Sequence, residues 1–349
     1  MSITVKSVAF KDVKQVELVT RETPDLRPDE VLVKVHAVAL CTMEQRLFRG
    51  EMKLPFLATG GHEVAGEIAD FGAAVNKKKW AVGDRVAVRL LFNCGECYYC
   101  RTGHTNMCEK SKSRPVRENL LPGPGGGLAD YVIVNASSLF KIPDTLTYEE
   151  ACLTEPLACV VHSVNRANIQ LGEDVVVIGG GIMGQYHVML AKCKGARVIL
   201  SEVDPVRGEL AKKLGADVVF NPIEVDPVEF VKSVTEGRGA DVVFNTTAIP
   251  SVVPQAIGMT GKAGRMIQYS SMHPDAPTPA SPQMLHGTET VLTGSISPDG
   301  NDFFVANRLL NSGIVDCKPM IAKTFPLEEA QAAFECATVP GTFRVIVTD

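Results

Sequence analysis

The feature that most restricts this chain is Val175-Val176-Val177-Ile178, followed at once by Gly179-Gly180-Gly181-Ile182-Met183-Gly184. A short continuous apolar run suits a strand covered on both faces, as in a parallel sheet flanked by helices. The glycines carry G-x-G-x-x-G spacing, and helical periodicity continues from them to Lys194. Glycine-rich turns are common, but the order strand, glycine turn, helix is the context of a dinucleotide site. Gly179 permits the tight turn, Gly181 lets backbone approach pyrophosphate, and Gly184 permits close packing of helix on strand. Ile182 and Met183 open the helix, whose exposed N–H groups face phosphate. Glu202 ends the next strand about 20 residues on, where a carboxylate accepts hydrogen bonds from the adenosine ribose and repels the extra phosphate of NADP. NAD is therefore the expected cofactor. Arg207 is a second candidate for the ribose, or an ordinary helix-surface cation.

Strands over 197–200, 241–245 and 265–269, with helices between, continue a doubly wound α/β pattern. The first 150 residues differ. Residues 31–38 alternate apolar and polar side chains over their first half, and Gly83-Asp84 is a turn feeding a strand over 85–88. Glycine and proline punctuate this half, most densely in Pro122-Gly123-Pro124-Gly125-Gly126-Gly127. A helix-like stretch over 327–337 and a strand over 343–348 close the chain. At 349 residues the sequence fits two domains better than one core.

Ten cysteines are present, four of them as Cys94, Cys97, Cys100 and Cys108. Four thiolates in so short a loop can close a tetrahedral shell around Zn²⁺ with no position open for chemistry. Binding would order a segment poor in apolar residues. Structural zinc is favoured, with an iron–sulfur cluster as the competing assignment. A second set is mixed: Cys41 after a strand, His62 and Glu63 side by side, and Glu155 far downstream. Cysteine, histidine and carboxylate together suit catalytic zinc, which keeps an exchangeable position and lowers the pKa of a bound alcohol. Singly, each is weak evidence, since an isolated Cys or His is commonly a buried structural residue.

Gly61-His62-Glu63-x-x-Gly66-x5-Gly72-x2-Val75 resembles the zinc signature of medium-chain dehydrogenases. Val82-Gly83-Asp84-Arg85-Val86, the four-cysteine lobe and the glycine motif match in the family's order, so the resemblance covers essentially the whole chain. It implies a GroES-like catalytic domain over 1–150, a Rossmann domain over 151–293, and a return to the catalytic domain over 294–349. It implies two zinc ions per chain, the catalytic one held by Cys41, His62 and a carboxylate. In the branch resembling sorbitol and threonine dehydrogenases, Glu63 or Glu155 takes the remaining position. Ser295 and Ser297 are placed near the nicotinamide by the same resemblance, and a homodimer or homotetramer is expected.

One departure concerns the proton. The family commonly has Ser or Thr two residues after the zinc cysteine, and often His five after it; here these are Met43 and Arg46. Met43 cannot relay a proton, which leaves Glu155, acting with water, as the candidate. Glu44 replaces a common aspartate and is expected to orient His62. The resemblance implies oxidation of a secondary alcohol, first a polyol, sugar or cyclitol, with an amino alcohol such as threonine as the rival substrate. A catalytically inactive NAD-binding protein of the same fold is the alternative outside that class.

The net charge of −5 offers no footprint for nucleic acid or an anionic membrane. No apolar run approaches the ~20 residues of a membrane span. The opening Met1–Lys6 lacks an apolar signal core, so a cytoplasmic location is expected.

Overall fold

The structure is a computed structural model describing residues 3–52, 57–111, 121–273, 275, 277–278 and 280–349; Met1 and Ser2 of the opening stretch lie outside these. Two compact units emerge, Met1–Ala158 with Asp299–Asp349, and Cys159–Pro298. In chain order the strands of the first segment are β1 (Thr4–Asp12), β2 (Gln15–Glu22), β3 (Glu30–Ala39), β4 (Glu63–Phe71), β5 (Arg85–Arg89), β6 (Tyr131–Asn135) and β7 (Leu139–Lys141). The second unit contributes β8 (Asp174–Ile178), β9 (Arg197–Ser201), β10 (Val218–Phe220), β11 (Ala240–Asn245), β12 (Thr260–Gln268) and β13 (Val291–Gly294). The returning segment adds β14 (Ile321–Pro326) and β15 (Arg344–Thr348).

In the second unit the order is β10-β9-β8-β11-β12-β13, and every pairing is parallel. This is the doubly wound Rossmann order, with β8 at its centre. All five residues of β8 are buried, which is why its sequence shows no alternation. Helices Pro205–Lys213 and Pro227–Val234 each start with proline in the first turn behind an aspartate cap. Asp204 and Asp226 accept backbone N–H bonds there, and proline adds a preset φ where no N–H partner is needed. β12 begins at Thr260, earlier than the 265–269 expected, with its register shifting against β11 before Arg265. Gly261 and Gly264 interrupt the apolar pattern there, so periodicity reveals only the second half.

Among the buried titratable groups of this unit is an imidazole. His187, on helix Ile182–Cys193, is fully buried, with ring centroids 4.5 Å from Phe244 and 4.8 Å from Tyr269. Its Nδ1 donates to the Met183 carbonyl at 2.7 Å, which leaves Nε2 to accept from the Ser163 hydroxyl at 2.9 Å. Burial pushes the imidazole pKa down to about 4, so the ring is neutral.

The first unit carries a seven-stranded sheet, β14-β15-β3-β4-β5-β7 with β6 paired to β3, and a β1–β2 hairpin. Within β3 only Glu30, Lys34 and His36 escape full burial, so the half-buried strand suggested by alternation is largely covered on both faces. β3 pairs with β4, β6 and β15, and that central place overrides the local pattern. Strand ends here point the functional side chains: Cys41 follows β3, Glu63 opens β4, Arg89 ends β5 and Arg344 opens β15. No described helix is long and apolar enough to cross a membrane.

Candidate metal centres and cofactor site

Cys94, Cys97, Cys100 and Cys108 are brought together in one lobe, their sulfurs all within 4.8 Å of one another. They are free thiols, and Cys94 Sγ lies 4.0 Å from Cys100 Sγ. A tetrahedron with Zn–S bonds of about 2.3 Å has sulfur–sulfur edges of about 3.8 Å, so this spacing fits zinc. Backbone N–H groups reach the sulfurs: Cys97 N–H donates to Cys94 Sγ at 3.4 Å and Cys94 N–H to Cys108 Sγ at 3.3 Å, the second of which draws the Cys108 thiol down. Backbone N–H groups, Cys100's foremost, draw the Cys97 thiol down to about 6, whereas desolvation pushes Cys100 up to about 12. A dication among the sulfurs favours the thiolate form at all four.

The second cluster joins distant parts of the first unit. Donor atoms of Cys41, His62 and Glu63 lie within 4.8 Å of one another, the other such group among the described residues. Helix Thr42–Phe48, begun at Cys41, carries Glu44 fully buried beneath His62. Gly61, with φ of +87°, turns the chain so that its N–H donates to Glu44 Oε1 at 3.0 Å. The same oxygen accepts from His62 Nδ1 at 2.8 Å. This commits Nδ1 to Glu44 and makes Nε2 the nitrogen available to a metal, as in the carboxylate–histidine pairs that support zinc. Burial opposes charge on both residues, yet each offsets it for the other: Glu44 sits below the usual carboxylate range and His62 well above its ordinary value. Burial pushes the Cys41 thiol up. A soft thiolate, an oriented imidazole and a carboxylate fit zinc with an open position.

Sequence reasoning missed one partner. Arg344 reaches the fully buried Glu63 with two parallel bonds, Nε to Oε2 at 3.0 Å and Nη2 to Oε1 at 2.5 Å. Burial pushes the Glu63 carboxyl up to about 7 against the pull of Arg344, and Glu155 pushes the same way as burial. Burial also opposes the Arg344 cation, but Glu63 more than compensates. At 281 positions apart, the pair could not have been found from any local signal. Glu155, in the first turn of helix Thr154–Ala167, is 5% exposed and stands outside the three-residue cluster, within electrostatic reach of Glu63. Arg46 lies 3.5 Å from Glu51, an ion pair on the helix flank rather than part of the cluster.

At the cofactor motif, Gly179 has φ of +95°, and a Cβ on Gly184 would stand 1.8 Å from the Gly179 carbonyl oxygen. A Cβ on Gly181 would meet nothing within 4 Å. The protein itself does not demand glycine there, which leaves the backbone open to close approach by a ligand. Glu202 is 8% exposed and not a solvated strand-end charge. Its Oε2 accepts from Gly180 N–H and its Oε1 from Asp204 N–H at 2.8 Å. Gln185, also unforeseen, is fully buried and donates to the carbonyls of Gly180 and Arg207, tying the glycine turn to the helix that carries Arg207. Ser295 is 9% exposed, with no hydrogen-bond partner for its hydroxyl among the described residues, and Ser297 has φ of +51°.

Comparison with known proteins agrees with these sites. Residues 27–144 match the alcohol dehydrogenase GroES-like domain, and 183–312 the zinc-binding dehydrogenase model. The chain is 32% identical to D-arabitol-phosphate dehydrogenase of Enterococcus avium over 99% of its length and 98% of that protein's. It is 34% identical to L-threonine 3-dehydrogenase of Caldanaerobacter subterraneus subsp. tengcongensis over 91% of each. A zinc-binding dehydrogenase from Sinorhizobium meliloti, solved with NADP bound, superposes with a TM-score of 0.89 at 27% identity, covering 99% of this chain and 100% of that one. A GroES-like sheet, a Rossmann sheet and a cysteine–histidine–glutamate cluster occur in one chain with relatives this similar over nearly its full length. The chain therefore belongs to the zinc-dependent medium-chain dehydrogenases, in the branch of the polyol and threonine dehydrogenases, and is an enzyme acting on a small alcohol.

Proposed function

We propose that this dehydrogenase oxidises a secondary alcohol of a polyol, sugar or cyclitol to the ketone with NAD. The observation that carries the proposal is the convergence of Cys41, His62 and Glu63 donor atoms within 4.8 Å, with His62 already oriented by Glu44. Zinc, when bound, supplies a Lewis acid that acidifies the alcohol, and NAD accepts the hydride. Cys41 and His62 hold the metal, and a carboxylate completes the set. Glu63 has both oxygens on Arg344 and can ligate only through a remaining lone pair, and Glu155 is the second carboxylate within reach. Glu155 is also the group assigned to receive the hydroxyl proton, because Met43 carries no exchangeable proton. Cys94, Cys97, Cys100 and Cys108 hold a second, structural zinc.

For the cofactor, Gly179, Gly181, Ile182, Met183 and Gly184 receive the pyrophosphate, Glu202 and Arg207 the ribose, and Ser295 and Ser297 the nicotinamide end. The buried carboxylate of Glu202 favours NAD over NADP. A homodimer or homotetramer in the cytoplasm completes the proposal. An amino alcohol is the second substrate class, favoured by the similarity to a threonine dehydrogenase.

The test is NAD reduction over polyols, sugars, cyclitols and amino alcohols, with bound zinc quantified. Two zinc ions per chain and turnover of a vicinal diol are expected; one zinc and no reduction of NAD would leave an inactive NAD-binding protein. Glu155→Gln with both metals retained is expected to lower turnover about 10²-fold or more. Full turnover in that variant removes Glu155 from proton transfer.

A further inference from the structure

Arg89, the last residue of β5, is 8% exposed. Among the described residues its guanidinium makes one hydrogen bond, from Nη1 to the neutral Asn93 Oδ1 at 3.0 Å, while Nε and Nη2 are buried without a partner. Burial weakens this cation, and Asp299, Glu155 and Cys100 oppose that only through space. A buried charge left unpaired is costly, and arginine's fork is shaped for two oxygens of one oxyanion. The chain shows elsewhere how that need is met: Arg344 engages both Glu63 oxygens through its Nε–Nη2 edge. Arg89 presents the same edge with no described residue bonded to it.

Its position links it to the candidate catalytic centre. Arg89 is the direct cross-strand partner of Glu63 in the β4–β5 pairing, and such partners project to the same face of the sheet. The charge of Glu155 reaches both Glu63 and Arg89. Arg89 also lines a cavity of about 480 Å³ within the first unit, walled by Thr59 and Asn93 on the polar side and Leu90, Phe92 and Val132 on the apolar side. That volume suits a small metabolite, as such sites span ~300–1,000 Å³. The acidic residues lining it have partners of their own: Glu22 accepts from Thr4, Asp29 from Asn135, and Glu30 from Arg27 N–H.

We propose that the Nε–Nη2 edge of Arg89 receives an oxyanion of the substrate, a carboxylate or a phosphate monoester, so that the enzyme selects acidic polyhydroxy substrates over neutral ones. Asn93 holds Nη1 and so orients the fork before the anion arrives. The selectivity rests on the alcohol dehydrogenase function proposed above; the affinity of Arg89 for an oxyanion does not.

Two measurements on the zinc-loaded enzyme test it: NAD reduction with paired substrates (a polyol and its phosphate, a sugar alcohol and the matching sugar acid), and calorimetric binding of inorganic phosphate and of acetate. The acidic member of a pair is expected to have the higher kcat/KM. In Arg89→Gln that advantage is expected to fall about 10–100-fold, the worth of charge-assisted bonds, and Arg89→Lys restores only part because it lacks the fork. An advantage confined to phosphates assigns a phosphate, and one confined to acids a carboxylate. Neutral members favoured by the wild type, or an advantage untouched in a folded Arg89→Gln, overturns the proposal. If no alcohol reduces NAD, the dehydrogenase function fails, and anion binding alone judges Arg89. Phosphate or acetate binding lost in Arg89→Gln supports it, and no binding by the wild type sinks it. If Arg89→Gln does not fold, Arg89→Lys and the wild-type substrate ratio decide in its place.

Discussion

The two metal centres of the first unit are built in opposite ways. The four-cysteine lobe draws every donor from 94–108, and the loop's own N–H groups steady two of its sulfurs. The mixed cluster draws Cys41 from the end of β3 and His62 and Glu63 from the start of β4, with Glu44 and Arg344 behind them. In the lobe, metal binding supplies the order; in the cluster, the sheet supplies it before any metal arrives. A site of the first kind is readable from spacing alone, and one of the second is not.

Replacing a donor in each centre should separate them most strongly. His62→Ala is expected to lower kcat by about 10³-fold or more, since a Lewis acid contributes several kcal/mol, while one zinc per chain is retained and the lobe stays resistant to protease. Some stability is lost with it, because Glu44 loses the partner that offsets its burial. Cys100→Ser should do the reverse: one zinc lost, with protease cutting in the lobe at a concentration that spares the parent. Metal content, turnover and limited proteolysis on the two variants decide it, and the comparison breaks if both respond alike.

The next effect is on stability. Arg344→Met leaves Glu63 buried without its counter-charge, an expected loss of about 3–5 kcal/mol by denaturant unfolding. Glu63→Gln combined with Arg344→Met should recover much of that, because the stranded charge is gone. A similar loss in single and double variants would show that Arg344 acts by packing alone.

The Rossmann unit, which holds neither metal cluster, offers a control. His187 stays neutral when folded down to about pH 4, whereas the unfolded chain takes up the proton near the ordinary 6.5. Below 6.5 the unfolded state therefore binds more protons, and stability falls with pH by about 1.4 kcal/mol per unit, reaching about 3 kcal/mol by pH 4. Unfolding at pH 7 and pH 5 should differ by about 2 kcal/mol more in the parent than in His187→Gln. An unchanged difference would assign the acid sensitivity to other groups.

The smallest expected effect sharpens the support of the mixed cluster. Glu44→Gln keeps the shape beneath His62 but weakens its hold on the Nδ1 proton, and should cost about 10–100-fold in zinc affinity or activity. Competition with a chromogenic chelator measures it at the weaker site while the cysteine lobe stays filled.

Legibility followed the same division. The apolar run of β8, the glycine turn and the four cysteines are local, and each was readable because its physics is complete within about a dozen residues. Cys41, His62 and Glu155 were grouped only through the family resemblance, since a lone cysteine or histidine carries no directional signal. Glu155 standing outside the tight cluster, and Arg344 standing on Glu63, depend on how β3, β4 and β15 meet. The near-complete burial of β3 was hidden for the same reason. Glu202 was found at the strand end, but not its bonds to Gly180 and Asp204, which close only when the glycine turn folds back.

The bond between Arg344 and Glu63 also sets an order of events on the ribosome. Glu63 leaves the tunnel 281 residues before its partner, and at about 5–20 residues per second that interval is on the order of 15–60 s. For its last 46 residues, once Pro298 is out, the Rossmann unit has all of its own sequence to fold with, whereas the catalytic sheet still awaits β14, β15 and the cation that neutralises its buried acid. A nascent chain stalled a few dozen residues short of its end therefore holds a finished cofactor domain beside a catalytic domain still waiting for its last strand.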